Sequence, residues 1–447
     1  MSHASHPVSS SLHRLRRGAL ALGLLACTAG AQATEASIAS LVQQRLPAWT
    51  QVYKDLHQHP ELALQETRTA AVLAKRMKAL GLEVTEHVGG TGVVALLRNG
   101  DGPLVMVRTD MDALPMAEQT GLPYASKVTT TYKGAQTGVM HACGHDAHMA
   151  IWLATAEVLA RHKDQWRGTV MFVGQPAEET LEGAKAMLAD GVFQRFGTPD
   201  HAFALHVGPD AYDRVSINTH AVTSASGAFD ITFHGRGGHG SAPHRSIDPV
   251  MMASRFVVDL QSVASREKDP QQFGVVGVGM IAGGSAGNII PAQATVRGTV
   301  RWYDEAVGDG LLAGIERTAR AVQAMADAPP AEINITRGTT AVFNDEALAT
   351  RTAQAITAAL PGGQVALRDQ PGTASEDYAA FSAQVSSSVF FGIGIYDPAA
   401  FNGDHSRDPA LTPFNHSPTF APIPEPTLRT GTLAMTAAVL DVLKPAN

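Results

Sequence analysis

Between Val139 and Met149 the chain reads Val-Met-His-Ala-Cys-Gly-His-Asp-Ala-His-Met, so three histidines, an aspartate and a cysteine fall within eight residues. Thiolate and imidazole are ligands for zinc and similar transition metals. Gly144 alone separates Cys143 from His145, and glycine lets the backbone bend without a Cβ clash, so both side chains can turn to one centre. By itself the stretch is equally readable as a buried structural cysteine beside surface histidines. Glu178-Glu179, His206, His239 and His416, each in a motif-like setting further along, shift the reading to a metal centre.

If Cys143, His145, Glu179, His206 and His416 converge, they offer five ligands, more than one tetrahedral ion takes from protein in a catalytic site. Two ions sharing a ligand are then expected. Paired metals roughly 3.5–4 Å apart polarise a carbonyl and lower the pKa of a bridging water. That water needs a base, and Glu178, next to the ligand Glu179, is the candidate. Alone, a Glu-Glu pair is a solvated acidic loop; its place after an apolar run and Gln175-Pro176 argues otherwise. Asp112 is expected to orient His145 rather than to bind metal, whereas Asp110 reads equally well as a turn former. In Gly237-Gly-His-Gly-Ser-Ala-Pro-His244 no Gly-Lys-Ser/Thr follows, which disfavours a phosphate-binding P-loop. His239 is instead expected to hydrogen-bond the oxyanion of a tetrahedral intermediate, with His244 left as ordinary loop chemistry. Asn288, after Gly283-Gly-Ser-Ala-Gly287, reads either as a substrate contact or as part of a tight turn.

These residues need a scaffold. Apolar runs at 92–97, 104–107, 169–173, 202–205 and 389–393 alternate with helical periodicity at 66–80 and 149–162. This predicts an α/β fold, a mostly parallel sheet with helices on both faces. Sites in such sheets form beyond the carboxyl ends of the strands, where Asp110, Asp112, Glu178, Glu179 and His206 stand. Ile38 to Leu56 has helical spacing, with Pro47 predicting a break or two short helices. From about Ala221 the rhythm changes: a strand at 229–233, a helix opened by Asp248-Pro249 as N-cap and first-turn proline, strands at 274–281 and 294–302, a helix at 305–325 and a strand at 331–336. The order β-α-β-β-α-β predicts an inserted ferredoxin-like domain. It is expected over 221–336 as a lid, with helices on one face and an exposed sheet on the other. Residues 34–220 and 337–447 then form the metallohydrolase domain.

The 447 residues carry a net charge of -7, which leaves no basic footprint for a nucleic-acid partner. Arg14, Arg16 and Arg17, the apolar Gly18–Cys27 and Ala31-Gln-Ala33 read as a secretory signal peptide over 1–33, cleaved after Ala33. The expected location is therefore outside the cytoplasm, in the periplasm; a lipoprotein tether at Cys27 and a twin-arginine route are the alternatives. The apolar run falls short of the roughly 20 residues that span a bilayer. With Cys27 gone, Cys143 has no intramolecular disulfide partner, and metal binding accounts for a lone thiol in an oxidising compartment.

The motifs Leu56-His-Gln-His-Pro-Glu-Leu62, Asp110-Met-Asp-Ala-Leu-Pro115, Met140-His-Ala-Cys-Gly-His-Asp-Ala-His148, Gln175-Pro-Ala-Glu-Glu179, Gly238-His-Gly-Ser-Ala-Pro-His244, Ser375-Glu-Asp377 and His416-Ser-Pro418 occur in that order along the chain. Through them it resembles the amidohydrolase branch that includes auxin-conjugate hydrolases, hippurate hydrolases and N-acetyl-diaminopimelate deacetylases, within the aminoacylase and carboxypeptidase superfamily of co-catalytic metalloenzymes. The resemblance implies two divalent ions, manganese or zinc with cobalt or nickel as further candidates, held by Cys143, His145, Glu179, His206 and His416. It implies Glu178 as general base, and a lid that commonly dimerises, so that a homodimer is expected. In relatives the lid histidine and asparagine, here His239 and Asn288, help bind substrate, sometimes across the dimer. One departure is visible: relatives have an acidic stretch after His416-Ser-Pro-Thr-Phe420, where this chain has Ala421-Pro-Ile-Pro-Glu-Pro426, which leaves the nearby helix start open. The expected reaction is hydrolysis of the amide bond of an N-acyl amino acid such as hippurate. A metallo-carboxypeptidase or dipeptidase acting on small peptides is the runner-up. An exported, non-catalytic binding protein is the third reading, and the presence of Glu178 with all five ligands argues against it.

Overall fold

The computed structural model describes residues 38–401, 408 and 410–444; the leader expected over 1–33, with Cys27, lies outside them. The first helix, α1, runs over 38–58 without a break, so Pro47 does not divide it as its ring predicts. Pro47 and Gln43, whose carbonyl loses its donor, are both exposed, so that carbonyl can turn to water. On the opposite face Val42, Leu46, Trp49, Tyr53 and Leu56 are buried and hold the helix down.

Helix α2 (Thr67–Ala79) leads into strands β1 (Glu83–Val88), β2 (Gly92–Asn99) and β3 (Leu104–Asp110). A hairpin, β4 (Thr129–Tyr132) and β5 (Ala135–Gly138), precedes helix α3 (His145–Arg161). Then come β6 (Gly168–Gln175), the short helices α4 (Gly183–Ala189) and α5 (Val192–Phe196), β7 (His201–Ala211) and β8 (Arg214–Asn218). The next section holds β9 (Ala225–His234), β10 (Gly238–His239), α6 (Pro249–Ser262), β11 (Gly274–Gly283), β12 (Ile289–Ile290), β13 (Gln293–Trp302), α7 (Glu305–Met325) and β14 (Glu332–Arg337). The chain finishes with α8 (Glu346–Ala359), β15 (Gln364–Arg368), α9 (Ala379–Ser382), β16 (Ser387–Tyr396) and α10 (Pro424–Leu443).

Eight strands form the main sheet in the order β1-β2-β6-β3-β7-β16-β8-β15. The central pairs β6-β3, β3-β7 and β7-β16 are parallel, as is β8-β15 at one edge. Alternation along each strand divides the apolar residues between two cores. Val93, Ala95 and Leu97 of β2 pack under α1, α2, α3, α8 and α10. Val94 and Leu96 face α4, α5 and α9 on the other side. That double burial is why these strands read as continuous apolar runs.

The smaller sheet has four antiparallel strands in the order β11-β13-β9-β14. Phe229, Ile231 and Phe233 of β9 and Val296 and Val300 of β13 bury one face against Phe256 and Leu260 of α6 and Leu311 and Ile315 of α7. Asp248 caps α6, its Oδ1 accepting the Val250 N–H at 2.9 Å. At α10 no side chain caps the first turn, which contains Pro424 and Pro426; prolines carry no N–H, so fewer orphan donors need a cap. Among the described residues no helix is long and apolar enough to cross a membrane.

Candidate metal centre

The cluster forms at the carboxyl ends of β3 and β6 and beside the middle of β7, where His206 lies inside a strand longer than its apolar run suggested rather than beyond its end. Gly144 precedes α3 with φ +94°, a conformation that favours glycine, and a Cβ there would overlap Val207 Cγ2. The bend sends Cys143 and His145 inward from consecutive turns. The Glu178-Glu179 loop follows β6 and is held by one carboxylate: Asp112 Oδ1 and Oδ2 accept the N–H groups of Glu178 and Glu179, each at 3.0 Å. His416 sits in a left-handed conformation, φ +66°, with its N–H bonded to the Ala142 carbonyl at 2.8 Å. Asn415 beside it donates to the carbonyls of Cys143 and Val207.

Hydrogen bonding fixes which ring nitrogens face the cluster. His145 Nδ1 lies 2.8 Å from the Asp112 carbonyl oxygen and His206 Nδ1 2.7 Å from the Val207 carbonyl oxygen. A carbonyl only accepts, so each Nδ1 carries a hydrogen and each Nε2 is the atom left to face the cluster. His206 Nε2 faces Cys143 Sγ at 3.4 Å. His145 Nε2 and Glu179 Oε1 are buried without a hydrogen-bond partner. His416 Nε2 is 3.4 Å from that same Glu179 Oε1. Asp112 thus meets His145 through its backbone oxygen, while its carboxylate holds the glutamate loop.

The ligand atoms of Cys143, His145 and His206 lie within 4.8 Å of one another, and so do those of Cys143, Glu179 and His416 and those of His145, Glu178 and Glu179. Soft sulfur, imidazole nitrogen and carboxylate oxygen together suit a transition ion, and the buried unpartnered atoms are those such an ion would satisfy. The five residues fit a metal centre, with Cys143 common to two of the groups. Burial acts to raise the Cys143 thiol, yet the neighbouring His206 and His145 bring it down to about 6. Burial lowers His206, and the Cys143 thiolate outweighs it, lifting the imidazole to about 9. Burial and then the neighbouring Glu376 hold the Glu178 carboxyl well above the usual range.

His148, from the same short stretch, is spoken for. Its Nδ1 donates to Asp110 Oδ1 at 2.6 Å, and its Nε2 accepts the Val207 N–H at 2.8 Å. Asp110 is no turn former: it is fully buried and also accepts from Arg108 at 2.9 Å. Sequence reasoning missed Arg108, which donates to Gln175, Asp110, Glu376 and Asp377 beneath the cluster. The available signal was a cation continuing the apolar run of β3.

The cluster opens into a cleft of about 750 Å³ whose wall includes Glu178, His206, His416, Ser375 and Arg301. Arg301, on β13, donates to Ser375 Oγ at 2.7 Å, and among the described residues it pairs with no carboxylate. His239 and Asn288 are brought beside each other on the β10-β12 ladder, where Gly240 N–H donates to the Asn288 carbonyl at 2.8 Å. Both are exposed and neither lines the cleft. His244 is exposed in a short turn.

This sequence and architecture are similar to those of known proteins. The sequence model described as Peptidase family M20/M25/M40 matches residues 106–416, and the chain belongs to that family; it is a hydrolase. A hippurate hydrolase of Campylobacter jejuni is 40% identical over 298 residues, covering 66% of this chain and 74% of the relative. An N-acetyl-L-cysteine deacetylase of Bacillus subtilis is 34% identical over 365 residues, covering 81% and 82%. A solved Bacillus subtilis structure, described as a dinuclear metal binding peptidase from the M20 family, superposes with a TM-score of 0.71 at 28% identity, covering 90% of this chain and 99% of that one.

Proposed function

We propose that the chain hydrolyses the amide bond of N-acyl amino acids, hippurate-like conjugates among them, using Glu178 as general base. Two divalent ions held by Cys143, His145, Glu179, His206 and His416, manganese or zinc before cobalt or nickel, would supply a polarised scissile carbonyl and a water of lowered pKa. Glu178 lies 3.9 Å from His145 Nε2, at the edge of the donor cluster, where it takes the water proton. The water oxygen bonds to the carbonyl carbon, the C–N bond breaks, and Glu178 returns the proton to the leaving amine. Its raised pKa suits both halves of that transfer.

The observation that carries the substrate class is Arg301. Half-buried, with a neutral hydroxyl as its hydrogen-bond partner, it offers a free guanidinium to an anion in the same cleft as Glu178. The free α-carboxylate of an acyl amino acid meets that demand. His239 and Asn288 enter this reading from a second copy. Exposed and side by side at the β10-β12 ladder of the region read as a lid, they reach substrate across a homodimer, His239 towards the oxyanion. The leader over 1–33 assigns the mature enzyme to the periplasm.

The test is to strip the metal and assay an N-acyl amino acid panel, hippurate included, with manganese, zinc, cobalt or nickel returned singly. The expected result is turnover restored by metal. Activity on dipeptides alone would replace this reading with a peptidase. No turnover with two ions bound per chain would replace it with a binding protein.

A further inference from the structure

Asp112 shares the Glu178-Glu179 loop with a second carboxylate. Glu66 stands immediately before α2, yet its side chain does not cap that helix. The Arg68 and Thr69 N–H groups donate to Glu61 instead, at 3.0 and 2.8 Å. Glu66 turns inward and is fully buried. Its Oε1 accepts the Ala177 N–H at 2.8 Å, and its Oε2 accepts the Thr91 hydroxyl at 2.6 Å. Three consecutive N–H groups, those of Ala177, Glu178 and Glu179, thus donate to two buried carboxylates from distant parts of the chain.

Ala177 is the residue this arrangement constrains. It is buried and left-handed, φ +51°, although it carries a Cβ. With nothing to oppose it, such a residue favours the right-handed form by about five- to thirtyfold. Peptide units are planar, so the conformation of Ala177 is the angle between the plane before it and the plane after it. The plane after it is held twice: the Ala177 carbonyl accepts from the Glu182 and Gly183 N–H groups at 3.2 Å each, and the Glu178 N–H meets Asp112. The plane before it is held by the bond from the Ala177 N–H to Glu66, with a longer one of 3.3 Å from Gln175 Nε2 to the Pro176 carbonyl. If Glu66 let go, Ala177 could turn right-handed, and Glu178, the next residue, would swing with it.

We infer that Glu66 is a positioning residue for the reaction: it holds Ala177 left-handed and so aims Glu178 at the water to be deprotonated, without touching substrate. This rests on the amidohydrolase reading, which makes Glu178 the base. Base and water must meet within hydrogen-bond reach, and a shift of about 1 Å in such a group is enough to cost rate. Glu66 therefore acts on kcat. Binding of substrate does not depend on it, and Glu179 stays in place because its own N–H is held by Asp112.

The experiment uses the full chain loaded with metal and the N-acyl amino acid it turns over fastest. Glu66→Met removes the acceptor at similar side-chain length. Its kcat should fall by about tenfold, as left-handed loops are lost, with KM and metal content close to those of the wild type. Ala177→Gly is then added to Glu66→Met. Glycine takes positive φ about as readily as negative, so about half of the loops regain the left-handed form, and kcat should return to within about threefold of the wild type. Damage to the fold alone would not be repaired by a glycine, which loosens the chain further. Should Glu66→Met fail to fold, Glu66→Asp, whose carboxylate is drawn back by one methylene, takes its place with the same expectations. A kcat that does not fall, or that glycine does not restore, overturns the inference while wild-type turnover keeps the amidohydrolase reading. If the wild type turns over no N-acyl amino acid, that reading has failed, and hydrogen exchange decides whether Glu66 holds the loop. Amides of residues 177–183 exchanging about tenfold faster in the Glu66 variant uphold it, and equal exchange overturns it.

Discussion

Arg108 Nη2 lies 2.8 Å from Glu376 Oε1, with both residues buried beneath Glu178. The same guanidinium reaches Asp110 and Asp377, so one cation serves three buried carboxylates. Removing one member of such a network leaves charges in the interior without compensation. Arg108→Met should therefore destabilise the fold by about 3–5 kcal/mol. Urea unfolding of wild type and variant reads this directly, and a difference under about 1 kcal/mol would show the network to be ornamental.

Glu178→Gln keeps the shape of the loop and removes the proton acceptor. Because Asp112 holds that loop through the Glu178 and Glu179 N–H groups, the proposed ligand Glu179 should stay in position. Metal content, measured by elemental analysis, should be unchanged while kcat falls by about 10²–10⁴-fold, the usual worth of general acid–base catalysis. Near-normal kcat would reassign the base.

Gly144 is the hinge of the donor cluster. Gly144→Ala introduces a Cβ into Val207 at φ +94°. Gly121→Ala, at φ +71° with open space around it, carries the backbone penalty alone, about 1–2 kcal/mol. The Gly144 variant should lose at least about 1 kcal/mol more than that, together with metal affinity, because Cys143 and His145 flank the bend. Equal losses in the two variants, by thermal unfolding and metal titration, would mean that Val207 yields.

What the sequence made legible was local. Cys143-Gly-His145 and Glu178-Glu179 are neighbours in the chain, and Asp248-Pro249 caps the helix it begins, so spacing alone exposes them. Arg108 was invisible because Glu376 is 268 residues away, and no pattern near Leu104–Val107 announces that partner. Pro47 misled because the outcome depended on which way Gln43 faces, a tertiary fact. Strands β8 and β15 were missed because they are short and partly exposed, leaving no apolar run to read. His239 and Asn288 were legible as a pair of motifs, but whose cleft they serve is a question about a second chain.

His57 carries a pH signature. Its Nδ1 is 2.6 Å from Asp146 Oδ2 and its Nε2 3.1 Å from Glu118 Oε1, an arrangement that calls for both nitrogens to donate, as only imidazolium can. Burial alone would lower its pKa, but the hydrogen bonds to Asp146 and Glu118 outweigh it and raise the group to about 9. A pKa raised on folding stabilises fully below the unfolded value of about 6.5 and ceases to do so as pH climbs through about 9. His57→Gln should therefore cost most near pH 6, up to about 3 kcal/mol, and progressively less towards pH 9.5. Cys143 and His206 titrate in the same window, but they are present in both proteins and cancel in the difference. Urea midpoints for the two proteins across that range test this. A gap that stays constant or widens with pH would mean that His57 is neutral in the folded protein and that Asp146, next to the proposed ligand His145, is held by something other than charge.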